Sequence, residues 1–409
     1  MSEYTREEIL KMIEDVGGPE NLDLSGKDLS EIDLSAEAIA RELEEYQKQH
    51  PGQIPVWYSE ITEGINLRKA SLVMTSLRKT NLWEADLQEA NLQMADLREA
   101  ILYGANLQEA EFSETDLRET KLEWANLQKA DLSKAKMQKA DLRRANLQGT
   151  NLLWANLENA ILAGANLQEA DLMEANLKKA KLREVHLEKV DLYDVESLEG
   201  AYFYGAFLDK TRMKMEQLGG GIGEGLDRDY DRAKEAYLLL KNNFNQIGRY
   251  DDASWAYVKE RQMEKMTYHP KLARKYYAEA EKLPKDASWR SWKWWRFYAK
   301  YTLKWLWDWI IWWLCGYGES PGKVVRVAII VLLAFPLFYW LTGLTPPNGQ
   351  NILWRDYFLY SLYAFGSMEH PTLQPTSWIA QLFTGLESLS GIALLALLMY
   401  TLGRRISRS

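Results

Sequence analysis

The stretch Asn81-Leu82-Trp83-Glu84-Ala85-Asp86-Leu87-Gln88-Glu89-Ala90-Asn91-Leu92-Gln93-Met94-Ala95 repeats one five-residue phrase three times. Stepping outward by five, the large apolar position recurs without a break from Leu67 to Leu192, 26 times in all, with only Phe112 and Met137 in place of Leu. Two residues before it stands a small side chain: Ala at most positions, Thr75, Thr80, Thr115, Thr120 and Thr150 at others, Val185 and Val190 near the end. The remaining three positions are mainly polar. A period of five matches neither a helix nor a straight strand. It suits a solenoid in which each unit forms one side and then turns, with one large and one small residue pointing inward and successive coils stacking like on like.

This pattern resembles that of the pentapeptide-repeat family, A-(D/N)-L-x-x, and the resemblance implies a right-handed quadrilateral β-helix with four units per coil. At roughly 4.8 Å per coil the 26 units would build a rod about 31 Å long. Leu24, Leu29 and Leu34 read as three earlier units, which places the β-helix at 22–208 behind an N-terminal helix within 1–21. A helical insertion at about 35–62 is expected to cap the open edge. After Leu192 the phase slips by one residue and resumes at Leu198, Phe203 and Leu208. Some soluble members of the family imitate DNA, which demands a strongly acidic face. Here Lys and Arg nearly balance Asp and Glu, and Lys134, Lys136, Lys139, Arg143 and Arg144 form a basic stretch. No nucleic-acid partner is therefore expected; the reading is a rigid scaffold for an unknown cytoplasmic partner, with Trp83, Trp124 and Trp154 as candidate contacts.

Over 409 residues the formal charge is only −8, and a single Cys, Cys315, excludes an internal disulfide and points to a reducing compartment for the soluble part. Residues 2–15 are dominated by charge, so no cleavable signal peptide is expected. The four histidines (His50, His186, His269 and His370) are scattered, and no catalytic constellation, metal site or cofactor motif emerges. An enzyme is not expected. Gly219, Gly220, Gly221, Gly223 and Gly225 read as a flexible linker rather than a phosphate loop, since no Gly-Lys-Ser/Thr follows. Residues 209–284 then read as a helical linker, in which Gly248, Tyr250, Ala253 and Tyr257 resemble one tetratricopeptide unit.

The last third is different in kind. Nine of the seventeen Trp fall between Ser288 and Leu314, where Lys293, Arg296, Lys300, Lys304 and Asp308 lie on one helical stripe. Residues 285–318 are read as an amphipathic helix in the membrane interface, basic residues toward phosphates and Trp at headgroup depth, ending in an elbow at Gly316-Tyr317-Gly318. Residues 324–344 and 379–402 are each long and apolar enough to cross a hydrocarbon core of roughly 30 Å. Lys323 and Arg326 flank the first and Arg404, Arg405 and Arg408 follow the second, while the loop between holds only Arg355. The positive-inside rule then puts both termini in the cytoplasm. Trp354–Phe365 is apolar but too short to span, and reads as a re-entrant helix.

Span, short re-entrant helix, irregular segment and second span resemble, over 319–409, the two-span members of the potassium-channel superfamily that carry pentapeptide repeats. The resemblance implies a homotetrameric pore-loop module in a lipid bilayer, with Gly391 at the inner-helix hinge and Glu387 as an intramembrane acid. The filter region departs from the family: aligning Pro375 and Trp378 with its post-filter Pro and Trp puts Ser367, Met368, Glu369, His370, Pro371 and Thr372 where T-x-G-Y-G-D belongs. Without those glycines a stacked carbonyl filter is not expected. Two readings of Glu369 are open, a fourfold carboxylate ring that attracts cations or a loop acid paired with a neighbour such as Arg355. His370 is either a pH sensor or a loop histidine without a role, and Glu387 is either functional or a hydrogen-bond partner for the back of the pore helix. The chain accordingly reads as a cation-permeable channel of non-potassium type, or as a non-conducting anchored scaffold that presents the rods.

Overall fold

The computed structural model describes residues 4–18, 21–30, 32–49, 64–281, 283, 291–345, 352–368, 370, 373–375 and 377–406, in two compact units, Met1–Met263 and Glu264–Ser409. In the first unit, parallel β-bridges step by 20 residues, from Asn66 to Asp86, to Asn106, to Asn126 and onward. Four five-residue units therefore close one coil. The pentad follows from the hydrogen bonding. Leu67 and Lys69 donate their N–H groups to the next coil at Asp86 O (2.7 Å) and Gln88 O (3.0 Å), while Ala70 N–H turns back to Leu67 O (3.1 Å). The residue before Leu is Asp or Asn because its side chain accepts the N–H two positions on, as in Asn66 to Arg68 (3.1 Å) and Asp131 to Ser133 (3.0 Å).

From Leu67 to Leu187 the tight corner holds the second residue after Leu in the left-handed region, with φ of +56° at Lys69 and +63° at Trp124. Such a conformation costs roughly 1 kcal/mol at a non-glycine residue. Each unit also buries its Leu completely, worth about 1.5–3 kcal/mol, so stacking wins at every corner. Where Thr replaces the small residue its hydroxyl is satisfied: Thr115 Oγ1 donates to Leu92 O at 2.7 Å.

The phase slip is a one-residue insertion, since the bridges widen to Asn176–Ser197 and Lys181–Tyr202. At the other end Asp23, Asp28 and Asp33 bridge to Asn66, Ser71 and Ser76, so the three early units stack directly on the main series and the helical segment is spliced out of one corner. The open N-terminal edge is covered by α1 (Arg6–Val16), whose Ile9, Leu10 and Ile13 join the Leu24, Leu29 and Leu34 core. In the expected cap, α2 (Ala36–Gln49), Ala38 is buried and Leu43 and Tyr46 pack as partly buried flanks against this core.

The glycine segment is not the flexible linker expected. A 3₁₀ turn at Met215–Leu218 and α3 (Gly223–Leu226) close the last coil, with Gly223 N–H donating to Ala201 O at 2.8 Å. A Cβ on Gly223 would meet the Tyr202 ring at 2.5 Å and Gly200 O at 2.6 Å, so the glycine is there for close approach. The hairpin of α4 (Tyr230–Gln246) and α5 (Tyr250–Thr267) then adds Tyr237, Leu240, Phe244, Ala253 and Ala256 to the same core. Much of the expected 209–284 linker is thus the rod's C-terminal cap. Gln217 and Asn243 side chains occupy orphan carbonyls of the final coil, at Leu192 O (2.6 Å) and Thr211 O (2.8 Å).

In the second unit α6 (Ala273–Tyr277) leads to α7 (Trp292–Cys315). Phe297, Tyr301, Asp308 and Cys315 are buried, whereas Trp292, Trp295, Leu303, Trp307, Ile310 and Trp313 are exposed. The expected basic stripe does not face outward as a whole. Lys300 bonds Glu281, Lys304 sits 3.9 Å from the Tyr268 ring centre and Asp308 is buried, because the 264–281 segment packs along that side. Gly316, Tyr317 and Gly318, all with positive φ, form the elbow into α8 (Pro321–Thr342). The chain continues through β1 (Leu344–Thr345), α9 (Trp354–Phe365), β2 (Gln374–Pro375) and α10 (Trp378–Ile406). Among the described residues, two helices are long and apolar enough to cross a membrane, Pro321–Thr342 and Trp378–Gly403.

Candidate functional site

The site is built where α9 packs between α8 and α10. The three helices meet in sequence: Tyr360 stacks edge-on against Tyr339 of α8 (4.9 Å) and its hydroxyl pairs with Thr384 Oγ1 of α10 (3.1 Å). Ser361 donates to Glu387 one turn further along α10, and Phe365 lies against Gly391 a turn beyond that. α9 and α10 therefore run side by side in the same direction while α8 runs against both. From Trp378 to Gly391 is about 20 Å of helix, so α9 stops near the midpoint of α10. The chain must then climb back, because Gln374 and Pro375 pair with Thr345 and Leu344 just past the end of α8.

At its lower end α9 closes on itself. Gly366, Ser367 and Met368 N–H groups donate to Leu362, Ala364 and Tyr363 carbonyls (3.1, 3.0 and 2.8 Å), and Ser367 takes the left-handed φ of +55° that this cap needs. The climbing limb lines an open cavity of about 410 Å³, walled by Tyr360, Ser367, Met368, His370, Gln381 and Ser388 among others. Ser388 Oγ donates to Ser367 Oγ at 3.0 Å. His370 accepts Leu373 N–H at 3.1 Å through Nδ1 and packs against Tyr363 (5.0 Å between ring centres), and burial holds its imidazole below the ordinary histidine range.

Glu387 is fully buried and ties all three helices. It accepts from Tyr339 Oη at 2.6 Å and from Ser361 Oγ. Ser361 Oγ also lies 3.5 Å from Leu332 O, the carbonyl that Pro336, having no N–H, leaves without its helical donor.

The pentapeptide-repeat family model matches overlapping stretches from residues 65–102 through 150–188. Among solved structures, alr5209, a pentapeptide repeat protein from Nostoc PCC 7120, is 32% identical over 26% of this chain and 75% of its own, with a TM-score of 0.20. The chain is a pentapeptide-repeat protein. It is also similar to HetL, a pentapeptide repeat protein involved in heterocyst differentiation regulation from the cyanobacterium Nostoc sp. strain PCC 7120, at 28% identity over 54% of this chain and 99% of that one (TM-score 0.20). QnrB1, a plasmid-mediated fluoroquinolone resistance protein, is 12% identical over 46% of this chain and 92% of its own (TM-score 0.24). No curated protein matches this pentapeptide-repeat protein.

Of the residues singled out in its sequence, Ser367, Met368 and His370 line the same cavity; Glu369, Pro371 and Thr372 lie outside the described residues. Gly391 faces the end of α9, where an added Cβ would fall 2.9 Å from the Phe365 carbonyl carbon and still closer to its oxygen. Tyr339 and Ser361, the partners of Glu387, were not legible in advance, because a Tyr and a Ser among apolar residues carry no motif. On this protein's rod the basic stretch disperses over different sides, since consecutive units occupy consecutive sides. Lys134, Lys139 and Arg143 pair with Glu114, Glu119 and Glu123 one coil earlier (3.0, 2.7 and 2.7 Å), and Arg144 covers Trp124 at 4.7 Å. Exposed pairs of this kind contribute about 0–1 kcal/mol each, so they neutralise the surface more than they hold it together.

Proposed function

We propose that this pentapeptide-repeat protein sits in a membrane and that its C-terminal unit assembles, as a homotetramer, into a pore-loop ion channel of non-potassium type. The observation that carries the reading is the path of α9, which descends between α8 and α10 to mid-helix before the chain returns to pair with the end of α8. A single re-entrant helix of this kind leaves its tip and climbing limb to be buried by other copies or to line a water-filled cavity. Only 22% and 17% of the apolar windows of α8 and α10 are buried, which suits helices surrounded by lipid and partners rather than the core of a soluble domain. Selectivity then falls to side chains on 366–372, since the tip of α9 spends its last carbonyls on its own cap. The rod has no catalytic part in this proposal; it serves as a regulatory or docking scaffold on the cytoplasmic side.

A second reading, an anchored oligomeric scaffold that does not conduct, draws on the same cap and on the missing filter glycines. Planar-bilayer recording of the reconstituted protein in asymmetric KCl and NaCl separates the two. The channel gives discrete steps whose reversal potential moves toward zero in Glu369→Ala. Silence from a demonstrably intact oligomer, across voltage and pH, would favour the scaffold.

A further inference from the structure

Three cations gather within the second unit, which begins at Glu264 and so includes the last residues of α5, beside α7 and α8. Lys323 Nζ lies 4.0 Å from the centre of the Trp312 indole and donates to Trp312 O at 3.3 Å, and Lys265 Nζ approaches the same ring at 5.2 Å. Arg326, one turn beyond Lys323, is exposed. Among the described residues no carboxylate forms an ion pair with any of the three. The acid that acts on Lys265 is buried Asp308, one turn before Trp312. Burial holds the Lys265 ammonium below the ordinary lysine range, with Asp308 opposing that and Lys323 adding to it. Two ammonium groups sharing one indole repel each other, and a single carboxylate leaves the group net positive.

The surroundings are equally unfinished. Trp309 and Trp313 are exposed on α7 beside Trp312, and Val325 and Ile329 are exposed on α8 beside Arg326. Basic groups bordered by exposed Trp and aliphatic side chains match the headgroup level of a bilayer, where phosphate meets the first methylenes. Gly322 leaves the approach open, since a Cβ there would meet nothing within 4 Å.

We propose that Lys265 and Lys323, which share the Trp312 ring, and Arg326, one turn along α8 from Lys323, bind the phosphate of an anionic membrane phospholipid whose chains lie along the exposed apolar surface of α8. The proposal rests on the membrane reading of α8 and α10. It fixes the lipid class by charge, and it couples lipid to the elbow that joins α7 to the first apolar helix.

Native mass spectrometry of the full chain in micelles, supplied with phosphatidylglycerol or phosphatidylcholine, is the test. The wild type should retain phosphatidylglycerol several-fold over phosphatidylcholine, and Lys265→Gln, Lys323→Gln and Arg326→Gln should each lower that retention about fivefold. Lys134→Gln on the rod should not. Equal retention of the two lipids, or variants that behave as wild type, would overturn the proposal. So would complete displacement of phosphatidylglycerol by inorganic phosphate, which would mark a site for the free ion. Arg326 is exposed, so its variant decides the matter if the lysine variants misfold. A chain that stays monodisperse without detergent sinks the membrane reading itself, whereas a micelle-bound chain indifferent to phosphatidylglycerol sinks only this inference.

Discussion

Replacing Gly391 by Ala sets two known effects against each other. In an open helix the change adds roughly 1 kcal/mol of helix propensity. Here the new Cβ would fall 2.9 Å from the Phe365 carbonyl carbon, where an ordinary carbon contact needs about 3.5 Å, and the carbonyl oxygen is nearer still. The obstacle is backbone at the capped end of α9, so no rotamer relieves it. Either α9 retreats from α10 or the Tyr339–Glu387–Ser361 hydrogen bonds stretch. Overpacking of this sort costs about 1–3 kcal/mol. Gly385 provides the internal control: it lies on the same helix and a Cβ there meets nothing within 4 Å, so Gly385→Ala should show the propensity gain alone. The two variants are therefore expected to differ by the steric term, about 1–3 kcal/mol, with Gly391→Ala the less stable. SDS titration of the full chain in micelles, read by helical circular dichroism, measures this with little contribution from the rod. If Gly391→Ala proved as stable as Gly385→Ala, the packing argument would be wrong, and a glycine used only as a hinge would be the better account.

Glu387→Gln leaves one oxygen to accept from the two hydroxyls in place of two and sets an N–H₂ against one of them, and should loosen the same transition by about 1–3 kcal/mol. An unchanged midpoint would mean the three-helix tie is energetically idle. In the rod, Leu142→Ala removes a fully buried side chain from a close-packed stack and should cost about 2–5 kcal/mol, read by urea unfolding. A loss below 1 kcal/mol would show that neighbouring coils collapse into the gap. Glu224, buried in the cap with Oε2 unpartnered and Arg183 Nε 3.9 Å away, has its carboxyl held above the ordinary value of 4.5, chiefly by burial. The folded rod therefore binds that proton more tightly than the unfolded chain. The stability linked to this proton is full below the unfolded value and is lost as pH rises through the folded one. Glu224→Gln should flatten the fall in rod stability that sets in as pH rises above the ordinary carboxylate value of 4.5; a slope unchanged by the substitution would assign it to other groups.

Much of this was legible beforehand for an identifiable reason. The pentad is local: the Asp or Asn that caps its own turn, the small residue and the stacked Leu all lie within five residues of one another. Their repetition therefore specified the rod, the slip after Leu192 and the early units at Leu24, Leu29 and Leu34. Length and hydropathy likewise marked α8 and α10, and the short apolar run Trp354–Phe365 marked α9. What closes the rod was not legible. The glycines at 219–225 read as a flexible linker because permissive backbone and close packing leave the same residue in the sequence, and only the Tyr202 ring against Gly223 tells them apart. The charged stripe of α7 was visible as a stripe, but which way it faces depended on residues 264–281 packing beside it. The Trp312 cluster and the Glu387 tie draw on residues some tens of positions apart that no periodicity connects. Sequence alone determined the elements whose stabilising contacts are near in the chain. Tertiary structure decided those in which a charge or a glycine acquires its meaning from a neighbour that only folding brings within a few ångströms.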